Sequence, residues 1–358
     1  MQQVFTKYII VGAGLSGLTS AYRLYQAGET DFIILESRDR IGGRIFTKNR
    51  IDFGAVWFQT HHQQVVGLLE ELGIAKFHQY SEGENVLVYS TMAPAHYFRN
   101  DPNAAPASRI SGSSMAMIEA LARSFSEKIK LDTNVTAINV KADGLQVIAN
   151  DTAYQAEKAI VTIPPRIVTR ITFSPDLPAT VTEVMKNTHT WMSNAIKIGM
   201  TFAKPFWRDK NLSGTMLGQV GPVVELYDHS DHLDEHYALM GFVNETLRDT
   251  SAEKRKQRIM DYLSKYLGNE VLNYLTYEEK DWSKDMHTSC ETIKSIYMSP
   301  QYGHPLFEAS YLDGRLFFSG AETAPAYGGY MDGAVLSGNL NAGKLMTPLT
   351  PRHPLKGG

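Results

Sequence analysis

A single cysteine, Cys290, in 358 residues excludes an internal disulfide framework and suits a reducing compartment. Charge of one sign is also scarce. Lys plus Arg number 35 against 38 Asp plus Glu, a net charge of -3 with no basic block, so nothing points to nucleic acid. No uninterrupted apolar run is long enough to cross a bilayer, so no transmembrane segment is expected. The N-terminus, MQQVFTKYIIVGAG, lacks the separate apolar region and small-residue cleavage site of a signal peptide, and the expected location is the cytoplasm. Internal repeats at solenoid periods are missing too. What remains is 43% hydrophobic and 20% charged, an ordinary globular composition, in a chain long enough for two interleaved domains around a sizeable core.

Residues 7–36 carry the first positive signal. An apolar run over 8–11 precedes Gly12, Gly14 and Gly17 in G-x-G-x-x-G spacing, and a helix-period stretch then ends at Gly28. A second apolar run over 32–35 finishes at Glu36. Strand, glycine turn, helix, strand and acid make a nucleotide-binding βαβ unit. Gly12 permits the tight turn, Gly14 lets the main chain approach a pyrophosphate, and Gly17 lets the helix pack against the strand. Leu15 and Ser16 lie at the helix start, where free N–H groups and the positive dipole end favour a diphosphate. Glu36 can accept hydrogen bonds from the ribose hydroxyls of adenosine and would repel a 2′-phosphate, which argues against NADP.

The next stretch separates FAD from NAD. Ser37, Arg38, Asp39 and Arg40 lead to Gly42, Gly43 and Arg44, a second glycine pair flanked by arginines. Such a loop can close main-chain N–H groups and one guanidinium on a long diphosphate cofactor. Gly54, Ala55, Val56 and Trp57 follow, a stretch whose small residues let the main chain pass close to a flat ring. With these motifs the chain resembles the flavin-containing amine oxidase family, the group of monoamine, polyamine and L-amino-acid oxidases, over nearly its full length. The resemblance implies FAD as cofactor. The implied fold is α/β: a Rossmann-like FAD-binding domain interleaved with a smaller α+β substrate domain built on a mixed sheet. The expected boundaries are 1–75, 110–165 and 280–346 for the first, 76–109 and 166–279 for the second, and 347–358 as a tail. Val135 falls where the family places a main-chain contact to adenine. One departure stands out. The better-known members insert a long, mostly helical segment before the helix that starts near Ser114, and this chain has only a loop from about Met92. A shallower, wetter pocket follows as an expectation, accepting larger amines or completed by a partner subunit or second copy.

Lys197 interrupts the apolar alternation of 194–200. A charge there is costly unless paired or functional, and two readings stand: an edge lysine reaching solvent, or a catalytic group. By the resemblance, a lysine at this point holds a water against the flavin and assists reoxidation by oxygen, with its pKa lowered by burial. Trp282 matches a family tryptophan before the flavin ring. Cys290 lies near the position of a covalent flavin link in monoamine oxidases; the reading of the residues favours a small unlinked cysteine and non-covalent FAD. Glu291 stands where an aromatic wall is usual.

Near the C-terminus, GAETAPAYGGYMDGAV is rich in glycine and tyrosine. The resemblance turns Gly320, Ala321 and Glu322 past the ribityl chain, and Gly328 and Gly329 along the ring. Met331 and Ala334 begin a helix whose N-terminus can stabilise negative charge on the reduced flavin. Tyr330 matches one wall of an aromatic cage, and Tyr327 or Trp57 could supply the other. The run from Asp228 to His236 looks metal-like but has no fixed ligand geometry, so it reads as a solvated hairpin loop. His61 and His62 remain undistinguished as pocket residues. The expected reaction is oxidation of an amine to an imine, with O2 reduced to H2O2. An amino-acid-oxidising or desaturase-like enzyme and a non-catalytic FAD-binding protein are the alternatives. An amino-acid substrate would need a cation, with Arg99, Arg109 and Arg166 as candidates.

Overall fold

The computed structural model describes residues 2–290 and 301–348. They fall into two compact units. The described residues of Met1–Gly43, Leu121–Thr190 and Met298–Gly358 form one, and those of Arg44–Ala120 and Trp191–Tyr297 the other. Residues 44–75, 110–120 and 280–290 therefore group with the second unit and 166–190 with the first.

The first unit is α/β. Its 8-stranded sheet runs Thr172–Ser174, Val135–Lys141, Gly144–Ala149, Thr152–Val161, Gln2–Val11, Phe32–Leu35 and Ile129–Lys130, with Leu316–Phe318 pairing Thr152–Val161. The first strand is central because both its neighbours are parallel to it, and residues 8–11 are buried among them. Helix Leu15–Gln26 follows and ends through Gly28 in the left-handed region, φ 80°. It crosses helix Met331–Met346 where a Cβ on Gly338 would stand 2.7 Å from the Ser16 carbonyl oxygen. A glycine is required for that approach.

The second unit carries a 7-stranded mixed sheet in the order Thr276–Asp281, Ile196–Phe202, Tyr237–Val243, Val223–Asp228, Leu212–Gly218, Glu84–Val88 and His96–Phe98. Only the Leu212–Gly218 pairing with Glu84–Val88 is parallel. One face is apolar, with Ile198, Met200, Leu226 and Leu239 packed with Ile259 and Leu263 of helix Ala252–Leu267. Ser251 caps that helix, its side chain accepting from the Lys254 N–H. The other face is mixed. Cross-strand pairing sets Lys280, Lys197, Phe242, Glu225, Leu217 and Leu87 in one row, and directly opposed residues share a face.

The sequence reading of 228–236 needs correction. Asp228, His229 and Ser230 are buried rather than solvated. Asp228 accepts hydrogen bonds from Trp207 Nε1 and Arg208 Nε, both at 2.8 Å, so the acid closes the core beneath the sheet. Only the later part of the run, through Asp234 and Glu235, is exposed.

Candidate active site

The first unit builds a dinucleotide cradle. Gly12 has φ +106°, and a Cβ on Gly17 would stand 2.1 Å from the Gly12 carbonyl oxygen. Helix Leu15–Gln26 starts at Gly14 with no side-chain cap, which leaves its first N–H groups for a ligand. The second glycine pair folds onto this turn: the Gly42 N–H donates to the Ala13 carbonyl at 2.8 Å, and a Cβ on Gly43 would lie 3.2 Å from Gly14 Cα. Glu36 is buried at the end of its strand, accepting from the Ala13 N–H at 2.7 Å and the Arg38 N–H at 2.9 Å. Ser37 Oγ is 3.5 Å from the same carboxylate, and the Arg38 guanidinium is 3.6 Å away. Val135 begins its own strand, nearly buried. A bare helix N-terminus, two interlocked glycine turns and a buried acid suit an adenine dinucleotide such as FAD.

Thr162, Ser319 and Ser337 escaped the sequence reading. Thr162 Oγ1 donates to the carbonyls of Val11 and Gly12 at 2.9 and 3.1 Å and braces the turn. Ser16, Ser319 and Ser337 form a buried hydroxyl chain, 2.7 and 3.0 Å apart, and Ser337 Oγ accepts from the Gly320 N–H. This chain joins the starting helix to the last strand and helix. Ser319 and Ser337 give no sequence signal, because their link to the helix start, from Ser319 to Ser16, spans 303 residues of chain.

The last helix begins as expected, with Tyr330 as its N-cap residue and Met331 and Ala334 buried in its first turn. Ala321 and Glu322 are buried, and the Gly329 N–H donates to the Ala321 carbonyl at 2.9 Å. Tyr330 and Tyr327 are both exposed, at 57% and 42%. The aromatic packed on Gly328 and Gly329 is Tyr302, which the sequence reading did not single out: a Cβ on Gly329 would stand 2.7 Å from its ring.

In the second unit, the chain turns back so tightly that a Cβ on Gly54 would be 1.9 Å from the Arg44 carbonyl oxygen. The returning segment, 52–54, presents its carbonyls in alternation. Those of Asp52 and Gly54 point to Lys197 Nζ, at 3.5 and 2.7 Å, and that of Phe53 accepts from Trp282 Nε1 at 2.8 Å. Val56 is buried and Ala55 half-buried beside them. Lys197 is 1% exposed and lies on a central strand, which removes the edge-lysine reading. Its amine sits 4.7 Å from the centre of the Phe242 ring and 5.6 Å from that of Trp57. Burial drives its pKa from 10.5 down to about 7, with Asp52 and Glu225 pulling the other way.

Around it stand residues that had no separate signal in sequence. The Tyr227 ring meets that of Trp57 edge-on at 4.8 Å, and its hydroxyl donates to Glu225 at 2.9 Å. Trp57 Nε1 donates to Gln79 at 2.7 Å. A cavity of about 1200 Å³ opens beside Gln79 and Tyr227, with Tyr80, Arg99, Arg208 and the 104–107 loop on its walls. Of the arginines weighed for a carboxylate, Arg109 is committed to the carbonyls of His229 and Ser230, and Arg166 Nε to that of Lys186. Arg99 lines the cavity. His62 is buried, with Nδ1 accepting from the Gln59 N–H, whereas His61 is exposed. Cys290 is half-buried and makes no disulfide; Glu291 lies outside the described residues.

The family model for flavin containing amine oxidoreductases matches residues 15–109 and 86–346. The chain belongs to that family. A putrescine oxidase from Kocuria rosea is 25% identical over 455 aligned positions, covering 94% of each chain. A probable flavin-containing monoamine oxidase A from Dictyostelium discoideum is 24% identical, covering 92% of this chain and 95% of that one. Among solved structures, putrescine oxidase with putrescine bound superposes with a TM-score of 0.83 at 22% identity, over 96% of this chain and 99% of that one. Cyclohexylamine oxidase from Brevibacterium oxydans gives 0.81 at 18%. These likenesses show the shared fold: a Rossmann-like dinucleotide-binding sheet and a mixed second sheet. Flavin-dependent amine oxidation is the family's chemistry. No helix among the described residues is long and apolar enough to cross a membrane.

Proposed function

We propose that this protein is an FAD-dependent oxidase of primary amines, with preference for a substrate that carries a second cationic group. The carrying observation is the buried Lys197 amine in an aromatic setting, with Glu225 two strands away in the same row. Bound FAD would supply the two-electron redox chemistry that couples amine oxidation to reduction of O2 to H2O2. The first unit's residues Gly12–Gly17, Glu36, Gly42, Gly43, Val135 and Gly320–Glu322 would hold it, with the start of helix Met331–Met346.

What the chain's own residues do follows from their surroundings. Lys197 titrates near neutrality, so it can hold a water by donating from Nζ and exchange a proton with it at working pH. Phe242, Trp57 and Tyr227 keep the region around that amine poor in water, which favours the neutral, reactive form of a substrate amine. Glu225 offers a carboxylate to a second ammonium, and Tyr227 fixes its orientation. A cleft of about 1200 Å³ lies next to Tyr227, the hydrogen-bond partner of Glu225. The putrescine oxidase among the relatives supports the diamine reading. The reading as a non-catalytic FAD binder is disfavoured by Lys197, because retaining a buried amine costs stability that a site without chemistry has no reason to bear.

The decisive experiment is anaerobic mixing of the holoenzyme with monoamines, diamines, polyamines and amino acids while flavin absorbance is followed. Bleaching by diamines ahead of monoamines of equal length supports the proposal; bleaching by none, in a protein still reducible by dithionite, overturns it. Glu225→Gln raises the KM for a diamine by about 10- to 100-fold, as expected for losing one charge-assisted contact of about 1.5–3 kcal/mol, and leaves a monoamine of equal length within a few-fold. Equal effects on both substrates would remove Glu225 as the second-cation site. FAD is proposed to be non-covalent: acid precipitation leaves the yellow colour in the supernatant, and colour retained in the pellet would reverse that.

A further inference from the structure

Behind the lysine lies a polar cluster to which nothing above assigns a role. Asp52 is 3% exposed, and its carboxylate accepts from Thr47 Oγ1 at 2.6 Å and from the Ser114 N–H at 3.2 Å. Its own N–H donates to His229 Nε2 at 3.1 Å. That contact makes Nε2 the acceptor and places the ring proton on Nδ1, in keeping with a pKa that burial lowers to about 4. His229 is therefore neutral. Arg109, also buried, donates to the carbonyls of His229 and Ser230 and so fixes the segment that carries the histidine.

Thr47, Ser114 and His229 all bond Asp52, at the start of one stretch of main chain. Residues 52–54 present two carbonyls to Lys197 and one to Trp282. Asp52 fixes the start of that stretch through its side chain and its N–H alike. We propose that Asp52 is a positioning residue for Lys197: its buried carboxylate pins the 52–54 carbonyls that receive the lysine amine and supplies a fixed negative charge to the lysine's surroundings. The inference rests on the role proposed above for Lys197.

The electrostatics agree with this geometry. Asp52 is the first of the charges that oppose the burial of Lys197, ahead of Glu225. Burial opposes ionisation of the carboxyl, and the Thr47 hydrogen bond and the nearby Arg109 charge work against that penalty. The other charged or titratable groups set toward Lys197 are Glu225 on the strand Val223–Asp228, His229, and Lys280 on the neighbouring strand, whose amine is paired with Asp285 at 3.2 Å. Of the two acids, only Asp52 also belongs to the main chain that binds the amine.

The test follows Lys197 directly. In holoenzyme labelled with [13C]lysine, the Cε resonance of Lys197 is the one missing from Lys197→Met, and its pH midpoint is read in each variant. Asp52→Asn removes the charge with little change of shape, and the midpoint falls by about one pH unit or more, with the pH profile of reoxidation moving the same way. Asp52→Glu retains the charge and shifts the midpoint much less. Should Asp52→Asn fail to fold, the reading is taken from Asp52→Ser, whose small hydroxyl leaves no amide to satisfy. A midpoint unchanged within about 0.3 pH units in the folded neutral variant overturns the proposal. If the midpoint moves but Lys197→Met reoxidises normally, Asp52 still positions the lysine and the role proposed for Lys197 fails instead.

Discussion

Lys197→Met slows reoxidation of the reduced enzyme by O2 about 100-fold, the scale of losing one preorganised donor at a site where charge develops. Reduction by amine under anaerobic conditions changes only a few-fold, since the proposed task of Nζ is to hold water and move its proton. Stopped-flow measurement of the two half-reactions separates these effects. Equal rates of reoxidation in both proteins would withdraw the assignment. The same substitution has an opposite effect on stability. In the folded protein the amine's pKa is depressed from 10.5 to about 7, so the unfolded chain binds more protons between those values. The destabilisation is full below about pH 7, shrinks as pH rises through the window, and is gone above 10.5. Lys197→Met therefore gains about 2–4 kcal/mol near pH 6, after the lost hydrogen bonds are set against the relieved burial, and the gain closes toward pH 10. Chemical denaturation of the apoprotein at pH 6, 8 and 10 reads this slope. A gain that does not depend on pH would mean that the amine is not charged in the unfolded chain alone, and the burial account would fall.

Gly17→Ala abolishes FAD binding through the fold, whereas Gly14→Ala does so through the ligand. A methyl on Gly17 would stand 2.1 Å from the Gly12 carbonyl oxygen and 2.8 Å from Thr162 Oγ1. Neither can yield freely, because the threonine hydroxyl is bonded to that carbonyl and to Val11's. The helix must move off the strand, at a cost of several kcal/mol, on the order of the largest single-residue effects. The apoprotein melts well below the parent, and FAD recovered after purification drops to less than about a tenth. A methyl on Gly14 meets nothing within 4 Å, and its backbone, φ -78°, accepts alanine without strain. The Gly14→Ala apoprotein therefore melts with the parent, yet loses FAD, because the methyl occupies the line of approach to the diphosphate. Flavin absorbance and thermal melting of both variants decide it. Gly14→Ala with full FAD content would mean that the diphosphate does not approach there.

Local motifs were legible wherever neighbours in sequence are neighbours in space. The glycine turn, the acid at Glu36 and the second glycine pair all lie within one βαβ stretch and its continuation, so their spacing carries the geometry. The helix start at Met331 was legible for the same reason. Lys197 was visible as an anomaly, a cation in an apolar alternation, yet whether it faced solvent depended on two strands from elsewhere in the chain. Asp228 and His229 were misjudged because a run of charged residues suggests solvent, while Trp207 and Arg208, about twenty residues earlier, bury the acid by bonding to it. Tyr302 gave no signal, since the two glycines that pack on its ring have no side chain to pattern against.

The sequence by itself determined the nucleotide-binding half and its cofactor class. Binding an extended diphosphate needs main-chain N–H groups at a tight turn, and glycine spacing encodes that locally. Only the tertiary structure decided the chemistry of the second unit. Strand pairing brought Lys197, Phe242 and Glu225 into one row, and the turn at Gly54 delivered the carbonyls of residues 52–54 to the lysine. Strand register and burial are set by contacts distant in sequence, and a proton affinity depends on both.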